Sequence, residues 1–244
     1  MMKISSLLVL LKNHVIISVV MSKKKKLEIN KEEHEVVVAG GKFYEFIKRS
    51  FDIFASFILL LLLSLLILVL LLIKAIEDGH RPIYTSYRVG KGGKEIKFHK
   101  IRTMFPNADK MKKKLIKKGL NEADGPAFKM KDDPRITKFG HFLRKTSLDE
   151  LPQLWDILCG RMSFIGPRPP LPEEVKKYTP YQMHRLDVKG GLICLWQITK
   201  HRHQLPFDEW VALDIAYIEN RSVGLDIKIF FKAIWFVLTD RTGE

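Results

Sequence analysis

Twenty-one consecutive residues, Ile53 to Ile73, carry no charge and are nearly all Leu, Ile, Val or Phe, with Ala55, Ser56 and Ser64 as the interruptions. At about 1.5 Å per residue a helix of that length reaches roughly 31 Å, the thickness of a bilayer core. A buried core helix so uniformly apolar would be out of place in a chain of 244 residues, so the run is expected to enter a membrane. Its flanks constrain how. Lys23 to Lys26, Lys42, Lys48 and Arg49 precede it, and Lys74 with a basic C-terminal part follows. Both flanks therefore ask for the cytoplasmic side. A re-entrant helix, dipping into the bilayer and returning, satisfies both, and Ser64 is the polar residue near the middle where a break is expected.

The formal net charge of +15 implies an acidic partner: nucleic acid, an anionic membrane surface or a phosphorylated small molecule. The surplus is local, because Lys94 to Lys131 holds twelve basic residues against four acidic ones. A composition of 46% hydrophobic and 28% charged residues excludes a wholly disordered chain and a multi-span transporter. Two cysteines, Cys159 and Cys194, make neither a disulfide framework nor a four-thiolate metal site and point to a reducing compartment. The apolar patch Leu7 to Val20 is broken by Lys12, Asn13 and His14. It lacks a signal-peptide cleavage pattern, and a translation start at Met21 would account for it.

After Lys74 the pattern reads as a small mixed α/β domain. Ile83 to Val89 and Glu95 to Arg102 read as strands joined at Gly90-Lys91-Gly92-Gly93. A hairpin is favoured over a phosphate-binding glycine loop, because no helix with the required spacing follows. Asn107 to Leu120 is a basic helix or linker, either a solvated face or a contact for lipid phosphates. In Arg144-Lys145-Thr146-Ser147-Leu148-Asp149-Glu150-Leu151-Pro152 the apolar spacing that continues to Leu158 predicts a helix beginning near Ser147 to Glu150. Ser147 with Glu150 forms a potential capping box, but Pro152 fits better in the free first turn of a helix capped at Asp149. An ionised Asp beside a second carboxylate can attack phosphorus while its neighbour holds a divalent cation; a plain capping role is the alternative. Gly166-Pro167-Arg168-Pro169 is a stiff turn that presents a guanidinium suited to phosphate, or an ordinary surface turn.

These segments, taken in order, resemble the bacterial sugar transferases, the monotopic polyprenyl-phosphate phosphoglycosyl transferases that begin exopolysaccharide, capsule, O-antigen and glycoprotein glycan assembly. The resemblance runs over about residues 42–240 through Lys48-Arg49-Ser50-Phe51-Asp52, Lys100-Ile101-Arg102-Thr103-Met104, Asp133-Pro134-Arg135-Ile136-Thr137, Leu143 to Leu154, Met162 to Pro169, and Leu225-Asp226-Ile227-Lys228. It implies transfer of a sugar-1-phosphate from a UDP-sugar to polyprenyl (undecaprenyl) phosphate with release of UMP. Asp149 would be the nucleophile and Glu150 its partner and ligand of Mg²⁺, with Mn²⁺ a permitted substitute. Arg144, Arg168, Lys100 and Arg102 would meet substrate phosphates. It also implies a helix-rich α/β monotopic membrane protein on the cytosolic face of the bacterial inner membrane. Residues 1–41 would be a basic tail, in part disordered, 42–78 the re-entrant segment broken at Ser64, and 79–244 the catalytic domain with interfacial amphipathic helices. Anionic lipids are expected partners, nucleic acid is not, and a homodimer is compatible with this arrangement.

Two departures stand out. The family's break is usually Ser-Pro, whereas Leu65 follows Ser64, so a straight spanning helix stays open. Members typically read Pro-Gly-Ile-Thr-Gly before Leu-Trp-Gln and end in Gly-Arg; Gly190, Ile193, Cys194, Lys200 and His201 differ. A catalytically impaired relative acting as a membrane-bound assembly component is the alternative this raises. His201 and His203 are more readily solvent-facing than a metal pair. Ile227 to Leu238, with Phe230, Phe231, Trp235 and Phe236 beside Lys228 and Lys232, suits either a core helix or one lying in the interface, the latter slightly favoured.

Overall fold

A computed structural model describes residues 35–122, 130, 132–199 and 205–239. The tail before residue 35, Lys200, His201 and His203 lie outside the described residues.

The apolar run belongs to a single helix, α1, Lys42–Asp78 (37 residues). No Gly or Pro interrupts it, and it ends at Gly79, whose φ of 65° is the left-handed conformation of a helix-terminating glycine and whose N–H donates to the Ala75 carbonyl. The break expected at Ser64 is not an interruption of this helix. The Ser64 hydroxyl donates back to the Leu61 carbonyl at 2.8 Å, and Leu65, unlike a proline, retains the N–H that the helical ladder needs. One stripe of α1 is covered: Asp52, Ser56, Leu70 and Lys74 are buried, and Ala55, Leu59, Leu60 and Leu63 pack on the core. The opposite stripe is bare, with Leu61, Leu62 and Leu65 about two-thirds exposed or more.

Both ends of the run are tied to the same domain. Asp52 Oδ1 accepts from Ser163 Oγ and from the Phe164 N–H, each at 3.1 Å. Lys74 donates to Thr137 Oγ1 at 3.1 Å and pairs with Glu77 and Asp78.

The hairpin expectation holds. Strands β1, Ile83–Val89, and β2, Glu95–Ile101, pair antiparallel from Ile83 opposite Ile101 to Val89 opposite Glu95. Their turn uses positive φ at Gly92 and Gly93. The basic segment is a helix, α2, Ala108–Lys117. Helix α3, Lys138–Lys145, is capped by Thr137, whose hydroxyl accepts from the Gly140 N–H. A 3₁₀ turn, Leu148–Glu150, leads to α4, Gln153–Leu158. Strand β3, Ser163–Ile165, runs parallel to β4, Gly191–Ile193. Between them lie α5, Pro172–Val175, and α6, Pro180–Met183. Helices α7, Phe207–Asn220, and α8, Val223–Thr239, complete the described chain. The result is the expected helix-rich α/β arrangement, with one long apolar helix.

The capping expectation fails in detail. Ser147 has φ 56° and its side chain caps nothing; α4 begins at Gln153, with Pro152 just before it. Pro152 is harmless there because no helical bond needs its missing N–H.

The main core gathers Phe98, Ile157, Met162, Phe164, Ile215, Ile218 and Ile229. A smaller cluster of Leu70, Ile101 and Leu143 joins the far end of α1 to the hairpin and α3; each such side chain contributes about 1.5–3 kcal/mol on burial. Helix α8 is a core helix on one face only. Ile229 and Ala233 are buried, while Phe231 and Trp235 on the other face are 65% and 66% exposed.

Candidate active site

Helix α3 stops at Lys145, and Ser147, in the left-handed conformation, reverses the chain. The short 3₁₀ turn that follows directs Asp149 and Glu150 back toward β2. There Lys100 Nζ lies 2.7 Å from Glu150 Oε1 and 3.3 Å from Asp149 Oδ2, so one ammonium holds both carboxylates. Arg168 Nη1 lies 3.9 Å from the same Glu150 oxygen. Arg144 donates through Nε to Thr103 Oγ1 at 3.0 Å, and its charge acts on Asp149. Lys100, Arg144 and Arg168 thus gather around the pair. Arg102 does not: its Nε donates to the Arg81 carbonyl and its guanidinium covers the Tyr84 ring.

The two carboxyls are electrostatically unequal. Burial pushes Asp149 above the ordinary Asp value, against the pull of Lys100, with the Glu150 charge adding to the rise. Burial also acts to raise Glu150, but Lys100 and then Arg168 overcome it and hold that carboxyl below the ordinary Glu value. Glu150 is therefore the more firmly anionic member. Its side chain keeps 21% exposure, against 7% for Asp149.

Among the described residues no group of three His, Cys, Asp or Glu could cage a metal ion. The donor set nonetheless fits Mg²⁺, which is commonly held by one or two carboxylates, water and substrate phosphate oxygens instead of an all-protein cage.

The turn bearing Arg168 is built for rigidity. Gly166 N–H donates to the Ile193 carbonyl, Gly191 N–H to the Pro167 carbonyl, and Val89 N–H to the Pro170 carbonyl. Gly166 and Gly191 lie against each other's backbone so closely that a Cβ on Gly191 would overlap the Gly166 nitrogen. Of the residues departing from the family pattern, Gly190 packs against Pro169, Ile193 lies in β4, and Cys194 is buried with its thiol donating to Gln197 Oε1.

One residue near the site was not anticipated. Arg88 on β1 stacks over the Phe98 ring, donates to the Pro169 carbonyl, and leaves Nε without a partner among the described residues. Burial, then the neighbouring Arg168, push its guanidinium down to about 10. Gln153 at the head of α4 is buried beside Glu150 and, after Lys100 and Arg168, helps hold that carboxyl down. The signal for Arg88 in the sequence was slight, a lone Arg in an otherwise tyrosine-rich strand. Chemically, the site sets a partly shielded carboxylate pair among convergent cations, an arrangement able to receive an anionic group.

Comparison with known proteins identifies the family. Residues 43–240 match the model of the family described as bacterial sugar transferase. The galactosyl transferase CpsE of Streptococcus agalactiae serotype III is 40% identical over 212 residues, 85% of this chain and 46% of that protein. The undecaprenyl-phosphate galactose phosphotransferase of Salmonella typhimurium is 40% identical over 198 residues, 79% of this chain and 40% of that protein. The chain thus spans less than half the length of these two relatives. The exopolysaccharide production protein ExoY of Sinorhizobium fredii is 38% identical over 196 residues, which is 80% of this chain and 86% of that protein.

Proposed function

The chain belongs to the bacterial sugar transferase family, and from that premise we propose that it moves a sugar-1-phosphate from a UDP-sugar onto polyprenyl phosphate, releasing UMP. The observation that carries the reading is the Asp149–Glu150 pair held by Lys100, with Arg144 and Arg168 beside it, on a domain strapped along an apolar helix.

In this reading an Asp149 carboxylate oxygen attacks the sugar-bearing phosphorus. The bond from that phosphorus to the oxygen shared with UMP breaks, and UMP leaves with the electron pair. An oxygen of polyprenyl phosphate then attacks the same phosphorus and Asp149 departs as carboxylate, leaving a polyprenyl diphosphate sugar. Arg144 and Arg168 hold phosphate oxygens, and Lys100 keeps Asp149 ionised. Glu150, the more anionic carboxyl, would hold Mg²⁺ or Mn²⁺, whose charge offsets that of the diphosphate when bound.

The proposed setting is the cytosolic face of the bacterial inner membrane, with both flanks of α1 held on that side. The tethering of Asp52 and Lys74 to one domain supports it, as does the basic character of both flanks.

UMP release from the full chain in membranes, with Mg²⁺ and a panel of UDP-glucose, UDP-galactose and UDP-N-acetylhexosamines, tests the reaction. UDP-galactose comes first because two relatives are named for galactose. Asp149→Asn should lower turnover by about a thousandfold or more, and intact protein should gain the mass of one phospho-sugar. No UMP from any sugar, with Asp149→Asn indistinguishable, would sink the proposal and leave the assembly-component reading.

A further inference from the structure

Arg88 is a cation beside the carboxylate pair to which the proposed chemistry gives no task. On the hairpin it stands opposite Ile96, so its side chain shares a face of the sheet with Ile96, Phe98 and Lys100. The buried Phe98 ring is a common platform for two charges: the Arg88 guanidinium lies 5.1 Å from its centroid and the Lys100 ammonium 5.9 Å. Lys100 is four residues along β2 from Ile96, roughly 13 Å of strand at about 3.3 Å per residue. The cations therefore form a row. Lys100 occupies the end that meets Asp149, and Arg88 the end toward the hairpin turn. The Arg168 turn runs alongside, with Arg168 within 3.9 Å of Glu150 and the next residue, Pro169, bonded to Arg88.

Few of the Arg88 donors are used. Its one hydrogen bond runs from Nη1 to the Pro169 carbonyl at 3.3 Å, and it makes no ion pair among the described residues. Nε is sealed away without an acceptor, which leaves Nη2 as the donor open to a ligand. Glu174, the carboxylate that acts on it most, is committed to the Leu171 N–H at 2.9 Å. Arg88 faces a second guanidinium instead. Burial, then the charge of Arg168, push it down to about 10, and Glu174, Tyr84 and Glu150 offset only part of that. Arg168 itself has one carboxylate contact, the distant one to Glu150. Two guanidiniums so weakly neutralised are matched by the oxygens of a phosphate.

We propose that Arg88 binds the nucleotide-side phosphate of the UDP-sugar and holds it as UMP departs. This rests on the transfer reaction proposed above and deepens it. In an in-line displacement the leaving oxygen lies opposite the attacking one. With Asp149 attacking from the Lys100 end of the row, the leaving phosphate points toward Arg88. When the bridging P–O bond breaks, its electron pair stays on the UMP oxygen and the UMP phosphate gains a negative charge. A fixed guanidinium there interacts more strongly after the bond breaks than before, so it favours departure as well as binding.

Equilibrium dialysis of labelled UMP against the full chain in nanodiscs tests the contact without turnover. Arg88→Met keeps an apolar stem over Phe98 and removes the charge. It should weaken UMP binding by about tenfold, as expected for loss of one charge-assisted contact, and leave uridine binding unchanged, because uridine has no phosphate. Arg88→Lys should recover part of the loss. In turnover, Arg88→Met should slow UMP release. It should not change the rate at which polyprenyl phosphate consumes phospho-sugar enzyme already formed, since UMP has left by then. Three results would each overturn the proposal: unchanged UMP binding in Arg88→Met, an equal loss of uridine binding, or equal slowing of both half-reactions. The second would mark a structural role and the third a contact with the sugar-bearing phosphate. Any of these alongside normal UMP release by the wild type sinks this inference alone, whereas no UMP from any UDP-sugar sinks the transfer reaction.

Discussion

Lys100 sets the acid side of the site. The proposed attack requires an ionised Asp149, so activity should be lost as pH falls through the Asp149 pKa, which burial has raised above the ordinary 3.8. Lys100 is the strongest influence opposing that rise. Lys100→Met should therefore move the acid limb of the kcat/KM profile to higher pH, by about one unit or more; an unmoved limb would show that Lys100 does not govern Asp149. The buried pair Arg185–Asp214 carries a second prediction. Arg185 Nε and Nη2 each lie 2.8 Å from Asp214 Oδ2, and burial pushes Asp214 up to about 6 in spite of Arg185. A folded carboxyl titrating above its unfolded value is a burden absent below about pH 4, growing as pH rises through 6. Arg185→Met removes the compensation, so it should destabilise by about 3–5 kcal/mol at pH 8 and less at pH 5, read by thermal melts in detergent. At this scale the sequence already showed the carboxylate pair, Lys100, Arg144 and Arg168. It did not show Arg88, whose partners Phe98 and Pro169 lie across a strand and 81 residues along the chain. Arg102 was expected beside Lys100, but the carbonyl of Arg81 at the open end of the hairpin claims it.

The β3–β4 pair shows what spacing and periodicity cannot reveal about an element. Three-residue strands leave too short a pattern to read, and their pairing depends on two glycines far apart in the chain, Gly166 and Gly191, meeting backbone to backbone. Gly191→Ala would drive a methyl group into the Gly166 nitrogen and the Ile165 carbonyl carbon. These are backbone atoms that cannot turn aside, so the cost should be about 1–3 kcal/mol. Because the displaced turn carries Arg168, turnover should fall in Gly191→Ala even well below its melting temperature. Full turnover in a destabilised variant would separate the turn from the chemistry. The helix start was misjudged for a related reason. The apolar spacing from Leu151 to Leu158 was read correctly as helical, but one residue in a left-handed conformation, Ser147, converts the expected first turn into the 3₁₀ segment that aims the carboxylates. Longer signals were easier to interpret: the hairpin and α1 follow from patterns spanning many residues.

Taken whole, the molecule is organised by α1. Asp52 and Lys74 are 22 residues apart, about 33 Å along a helix, yet both bond the same domain, through Ser163 and Thr137. A helix standing straight across the bilayer would carry one of these contacts to the far side and drag the charged domain surface through the hydrocarbon core, where unsatisfied polar groups cost several kcal/mol each. Flank charges alone pointed to a single face. They could not show the covered stripe, because its partners lie 111 and 63 residues away in the chain. The arrangement makes a topological prediction. With Cys159 and Cys194 replaced, cysteines introduced at Glu35, before α1, and at His80, after it, should both resist a membrane-impermeant maleimide in intact cells. Both should react once the cytosolic side is opened. Opposite behaviour at the two positions would mean that α1 crosses, and that the contacts of Asp52 and Lys74 with one domain do not persist in the membrane. Leu65→Pro then distinguishes a helix that must bend from one that need not. In a re-entrant helix the substitution relieves the ladder where the family places its break, so protein level and turnover should be kept. In a straight span it should cost about 3 kcal/mol or more and lower both.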